Sequence, residues 1–158
     1  MQKTMAAQNL SDVSLYFFTP DFSEIQRIPY FDGGVRAGFE SPANDFEENK
    51  ISFDEIVLGN CPSTKFYVRI EGTSMQGAGI DHNDIAVVDK AAEPTDGCIA
   101  VCRINGGDYT LKRLKVMKDC IYLMPENAEY DPIVITNNEN FEVWGIVTYT
   151  LKDHTKKR

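Results

Sequence analysis

From Phe66 to Leu151 the chain repeats one pattern: a short, partly alternating apolar run, then a cluster of turn formers. The runs are Phe66–Glu71, Ile85–Asp89, Cys98–Ile104, Asp108–Val116, Cys120–Met124, Ile133–Thr136 and Glu142–Leu151. Asp81–Asp84, Pro94–Gly97, Asn105–Gly107, Pro125–Asn127 and Asn137–Asn140 lie between them. Short runs closely spaced by Gly, Pro, Asn and Asp predict strands, and strands in this number predict a compact, mostly β domain, sandwich-like or partly closed. One short helix is expected: Ser52-Phe53-Asp54-Glu55 is a capping box opening a helix to about Leu58, ended by Gly59-Asn60.

Residues 1–36 carry little regular pattern. Asp21-Phe22-Ser23-Glu24 offers a cap for a turn of helix, and Pro29 limits its length. Gly33-Gly34 and Pro42 flank a stretch that reads as an extended arm. The expected organisation is therefore an N-terminal arm over residues 1–40 and one folded domain over 41–158.

Two of the runs carry candidate chemistry. In Phe66–Glu71 the residues Phe66, Val68 and Ile70 share one face, and Gly72 breaks the strand just before Thr73-Ser74-Met75. A hydroxyl at a tight strand exit, beside backbone N–H groups not used by the sheet, is a candidate nucleophile with an oxyanion site, here the N–H groups of Thr73 and Ser74. Ser after Gly is more often only a turn. In Asp108–Val116 the two-residue period puts Thr110, Lys112, Leu114 and Val116 on one face, with Arg113 and Lys115 on the other. Lys112 is then the lone charge on an apolar side, where a lysine either snorkels to water or gives up its proton. A neutral Lys112 is the general base that a Ser74 nucleophile requires.

With those residues in view, EGTSM (Glu71–Met75) followed by GDYTLKRL (Gly107–Leu114) resembles the nucleophile and base motifs of the LexA/UmuD family of self-cleaving serine peptidases. The segment Ala37-Gly38-Phe39-Glu40-Ser41-Pro42-Ala43 is similar to that family's self-cleavage site, in its UmuD branch especially. The motifs follow the family's order over about residues 35–152. Glu40 stands where the family often has proline, and Thr73 where UmuD proteins often carry an acidic residue. The resemblance implies a LexA/UmuD-type peptidase domain with Ser74 as nucleophile, Lys112 as base and a cut between Ala37 and Gly38. Gly38 suits that role by leaving the scissile carbonyl uncrowded; Gly33–Gly34 is the alternative bond, without the pattern that follows Gly38.

The resemblance also implies a homodimer, activation by the RecA–single-stranded DNA filament, and a trimmed product that serves a UmuC-type translesion DNA polymerase in the SOS response to DNA damage. A LexA-like repressor is the alternative, against which stands the shortness of the stretch before Ala37 for a winged helix-turn-helix. A catalytically inactive interaction module of the same fold is another. Signal peptidases share a Ser–Lys dyad but carry a membrane anchor, and no run here reaches that length. Extended, the chain from Gly38 to Ser74 reaches on the order of 120 Å, so the cut can be made within one chain or between two.

Composition closes off other classes. A formal charge of −8 disfavours direct binding to the DNA backbone. Cys61, Cys98, Cys102 and Cys120 lack metal-ligand spacing, so neither a metal nor another cofactor is expected, and reduced thiols place the protein in the cytoplasm. The first residues lack the apolar core of a signal peptide. His82, in the turn Asp81–Asp84, and His154, in the charged tail, read as exposed rather than as members of a triad. Asp81, Asn83 and Asp84 read as turn chemistry, since the glycine and distal glutamate of a calcium loop are missing. On the last strand, Trp144, Ile146, Val147 and Tyr149 read as core, with an exposed edge for dimerisation as the alternative.

Overall fold

The computed structural model describes residues 16–18, 27–30, 49–59, 61–136 and 140–155. The segment holding Ala37 and Gly38, and the helical turn expected at Asp21–Glu24, lie outside the described residues. In chain order the elements are β1 (Tyr16–Phe18), β2 (Arg27–Tyr30), β3 (Asn49–Ser52), α1 (Phe53–Leu58), β4 (Lys65–Arg69), β5 (Ile85–Asp89), β6 (Ile99–Ile104), β7 (Tyr109–Val116), β8 (Ile121–Met124), β9 (Ile133–Ile135) and β10 (Phe141–Leu151). The protein is mostly β, and β4 to β10 fall within two residues of the expected runs. The chain divides into two units, one of residues 21–63 and one of residues 1–20 with 64–158.

In the smaller unit β2 and β3 pair antiparallel, from Arg27 opposite Ser52 to Tyr30 opposite Asn49. The capping box forms as expected. Ser52 Oγ accepts the N–H of Glu55 at 3.4 Å, and Gly59, at φ 58°, closes the helix by donating to the Glu55 carbonyl. Neither β2 nor β3 stands out in the sequence: both are short, RIPY is broken by Pro29 and NKIS is mostly polar.

The larger unit is one antiparallel eight-stranded sheet in the order β1-β4-β5-β10-β6-β7-β8-β9. The last strand thus lies between β5 and β6, which are neighbours in sequence but not in the sheet. The β10 ladder skips Trp144 against β6 and Thr148 against β5. Bulges of this kind bend a strand and increase its twist, and alternate residues along the central strands enter two separate cores. Val68, Met75, Val88, Val101 and Leu111 belong to one; Ala100, Cys102, Leu114, Leu123 and Ile146 belong to the other. That double coverage explains the continuous apolar run CIAVCRI, since a strand buried on both faces has no polar side to show. β7 is covered in its middle only: Leu111 and Leu114 are buried, whereas Val116, expected on the apolar face, is exposed where the strand runs out of the core.

β1 was not visible as a strand from sequence. It pairs with β4, Phe17 opposite Val68, and brings Phe17 edge-on to Trp144 at a centroid distance of 4.5 Å. Trp144 also packs against Phe66 and Tyr109, with the Lys90 ammonium 4.8 Å from its ring centre. The unpaired bulge position therefore anchors an aromatic cluster. At Gly145 no side chain fits, since a Cβ would lie 2.6 Å from Val88 Cγ1.

Lys65 and Asp89 stand opposite each other on β4 and β5, with Nζ 2.5 Å from Oδ2. Burial by itself would raise the Asp89 carboxyl; hydrogen bonds from Lys65, the Ala91 N–H and Thr64 outweigh it and hold the group below its ordinary 3.8. With the folded-state value depressed, the stabilisation is complete above the unfolded value and is lost as pH falls through the lower, folded one. Asp89→Asn should therefore cost about 1–2 kcal/mol at pH 7, a deficit that shrinks below about pH 4. Urea unfolding of both proteins between pH 3 and 7 reads this directly, and a pH-independent difference would contradict it.

Candidate active site

β4 ends at Arg69, and Gly72 turns the chain at φ 94°, a left-handed value that suits glycine. The exit is tied down on both sides. Ile70 exchanges backbone hydrogen bonds with Asn83 and Asp84 at 2.8 and 2.9 Å, and the Gly72 N–H donates to His82 Nδ1 at 3.2 Å. His82 is exposed in its turn, as the sequence suggests, and in addition fixes the start of the loop that carries Ser74. Met75 sinks into the first core, and its carbonyl accepts the N–H groups of Ala78 and Ile80. Ser74 is thereby held between a capped turn and a buried anchor.

β7 supplies the other half. Lys112 is only 6% exposed and Ser74 only 3%. Lys112 Nζ lies 2.9 Å from Ser74 Oγ, 3.0 Å from Thr110 Oγ1 and 3.0 Å from the Leu111 carbonyl oxygen. The lysine therefore turns inward to three oxygens instead of snorkelling. Sequence reasoning paired Ser74 with Lys112 but missed Thr110 as a partner, although the two-residue period already placed it on the lysine's face. Opposite Lys112 on β6 is Ala100, and opposite Thr110 is Cys102. Burial, with Cys98 nearby, pushes the Cys102 thiol up to about 12 against the opposing effect of Lys112, so this neighbour stays protonated.

A second loop closes against the first. The Glu126 N–H donates to the Ser74 carbonyl at 2.8 Å, and the Gly77 N–H donates to the Glu126 carbonyl at 2.6 Å. Asn127 Nδ2 donates to the Thr73 carbonyl at 3.0 Å, and the hydroxyls of Thr73 and Tyr130 are 2.8 Å apart. The sequence marks Pro125–Asn127 only as a turn. Among the described residues, the N–H groups of Thr73, Ser74 and Met75 donate to no acceptor. Beside them is a small depression lined by Ile70, Glu71, Gly72, Ser74, Met75 and Leu111. The arrangement offers a buried amine on a hydroxyl, with backbone donors next to it. Asp81 and Asp84, by contrast, are engaged by Lys152, whose Nζ lies 2.6 Å from Asp81 Oδ2 and 3.4 Å from Asp84 Oδ2.

Residues 29–148 match the family described as Peptidase S24-like. The chain is 33% identical to protein MucA of Salmonella typhimurium over 133 residues, covering 84% of this chain and 89% of that one. It is 31% identical to protein ImpA of the same organism over 124 residues, covering 78% of this chain and 82% of that one. To the LexA repressor of Bordetella parapertussis it is 35% identical over 114 residues, 72% of this chain and 51% of the repressor.

The contact between the two loops has a direct test. A Cβ at Gly77 would sit 2.5 Å from the Glu126 carbonyl oxygen. Gly77→Ala should therefore force the loops apart and cost about 1–3 kcal/mol, measured by denaturant unfolding; a neutral substitution would mean that the loops are not in contact.

Proposed function

The chain belongs to the Peptidase S24-like family as a relative of LexA and the UmuD-type proteins, and from that premise we propose that it is a serine peptidase that cuts its own backbone between Ala37 and Gly38. The observation that carries the reading is the 2.9 Å approach of Lys112 Nζ to Ser74 Oγ inside a buried site.

A buried lysine is biased towards its neutral form, because desolvation penalises the ammonium. A neutral amine has two N–H donors and one lone pair. The Leu111 carbonyl can only accept, and with the Thr110 hydroxyl it takes both donors; the lone pair is then left for the Ser74 O–H. In this mechanism Ser74 Oγ bonds to the carbonyl carbon of Ala37 while its proton passes to Lys112 Nζ. The carbonyl electrons move onto oxygen, which the N–H groups of Thr73 and Ser74 receive. Collapse breaks the bond to the Gly38 nitrogen, which takes the proton from Lys112 and leaves as a new N-terminus. Water, deprotonated by Lys112, then frees Ala37 from its ester with Ser74.

The resemblance to the UmuD branch supports a role in the SOS response. There the fragment 38–158 acts as a homodimer and an accessory subunit of a UmuC-type translesion DNA polymerase, and the RecA–single-stranded DNA filament triggers the cut. Capture of the polymerase by the 38–158 fragment, and not by full-length protein, would test the role of trimming.

Ser74→Ala and Lys112→Ala should each abolish the cut while leaving the fold intact, and the double variant should be no worse, because nucleophile and base act as one unit. Mass spectrometry of the wild-type fragments should place the cut after Ala37; cutting that persists in Ser74→Ala would reject the assignment. The base must be neutral to act, so activity is gained as pH rises through its pKa. An ordinary lysine, with pKa about 10.4, is neutral in only ~0.04% of molecules at pH 7, and each unit of depression raises that about tenfold. The first-order rate of loss of full-length protein should therefore climb from pH 6 and level off below pH 10. A flat or falling profile would exclude Lys112 as the base.

A further inference from the structure

We infer that Asn127 is a positioning residue for the oxyanion site: by holding the Thr73 carbonyl it aims the Ser74 N–H at the reacting centre. The inference rests on the peptidase reading above. A trans peptide plane sets the carbonyl of one residue antiparallel to the N–H of the next. Whatever holds the Thr73 oxygen therefore also fixes the direction of the Ser74 N–H. Asn127 Nδ2 donates to that oxygen at 3.0 Å, and the Gln76 N–H adds a longer bond at 3.3 Å. The side-chain amide itself cannot swivel freely, because its Oδ1 accepts the Glu129 N–H at 3.0 Å. Each end of the amide is thus matched to the one partner it can serve. The next plane is held in the same way, by Glu126 N–H on the Ser74 carbonyl.

The need for such a clamp comes from Gly72. A glycine one residue before Thr73 gives the segment a backbone with little intrinsic preference between conformations. An oxyanion site works only if its donors are oriented before charge develops. Tertiary contact from the Pro125–Tyr130 loop supplies the shorter of the two hydrogen bonds that set this orientation, the local turn only the longer one.

Asn127→Asp tests this with little change of shape. It keeps an oxygen for the Glu129 N–H and replaces the donor facing the Thr73 carbonyl with an acceptor; Asn127→Ala removes both. In full-length protein the plateau rate of self-cleavage in both variants should fall on the order of a hundredfold. Affinity for a peptidyl boronic acid with the sequence Val-Arg-boroalanine, whose boron becomes tetrahedral on Ser74 Oγ, should fall by a similar factor. In Asn127→Ala, which adds no charge, the midpoint of the pH profile should stay where it is, since Lys112 keeps its own partners, and thermal melting should verify that both variants are folded. Folded variants that cut at the wild-type rate would overturn the inference. So would a slower rate with boronate affinity unchanged, or with the pH midpoint displaced in Asn127→Ala. Wild-type protein that never cuts itself would overturn the peptidase reading and this inference with it.

Discussion

Burial of the middle of β7 on both faces is the constraint from which the rest of the site follows. Leu111 fills one core and Leu114 the other, so the strand cannot rotate or slip by a residue without exposing one set and burying charge on the opposite side. Lys112, between them, is carried into a dry layer by its neighbours' packing rather than by any attraction of its own. Once there, the amine needs partners, and Ser74, Thr110 and Leu111 provide three oxygens at about the same distance. The hydrophobic effect thus does the electrostatic preparation: it places an amine where its charged form is costly and its neutral form is useful.

Much of this is legible in the sequence. Two-residue alternation located β4 and β7, the turn formers separated β5 to β10, and the capping box fixed α1. The strand exit at Gly72 singled out Ser74, and the same alternation identified Lys112 as the odd charge on its face and so supplied the base. What stayed hidden depends on partners remote in sequence. β1 is three residues long and earns its strand character only by pairing with β4. β2 is interrupted by Pro29, and β3 is mostly polar. Asn127 looks like any turn asparagine until its amide is seen on the Thr73 carbonyl. Val116 went wrong for a related reason: periodicity says which face a residue takes, but not where along the strand the cover ends.

On the peptidase reading, the site does without a catalytic histidine. His82 serves as an acceptor for the Gly72 N–H, not as a base. The acidic pair Asp81 and Asp84 is taken up by Lys152 at the end of β10, well away from the role of orienting a base. Lysine needs no carboxylate behind it; a hydroxyl and a carbonyl suffice to fix its two protons.

The position of β10 has a consequence for when such a site comes into being. The strand leading into Ser74 lies on one side of it and the strand carrying Lys112 on the other, and among the described residues the sheet joins its two halves through β10. β10 follows both β4 and β7 in the chain, so the ladder that joins the Ser74 half of the sheet to the Lys112 half is completed only after both halves have been made. Pairing across such a sequence separation is slow as well as late. On the peptidase reading, chain order thus acts as a timer: Ser74 and Lys112 are locked together only once residues 141–151 have entered between β5 and β6.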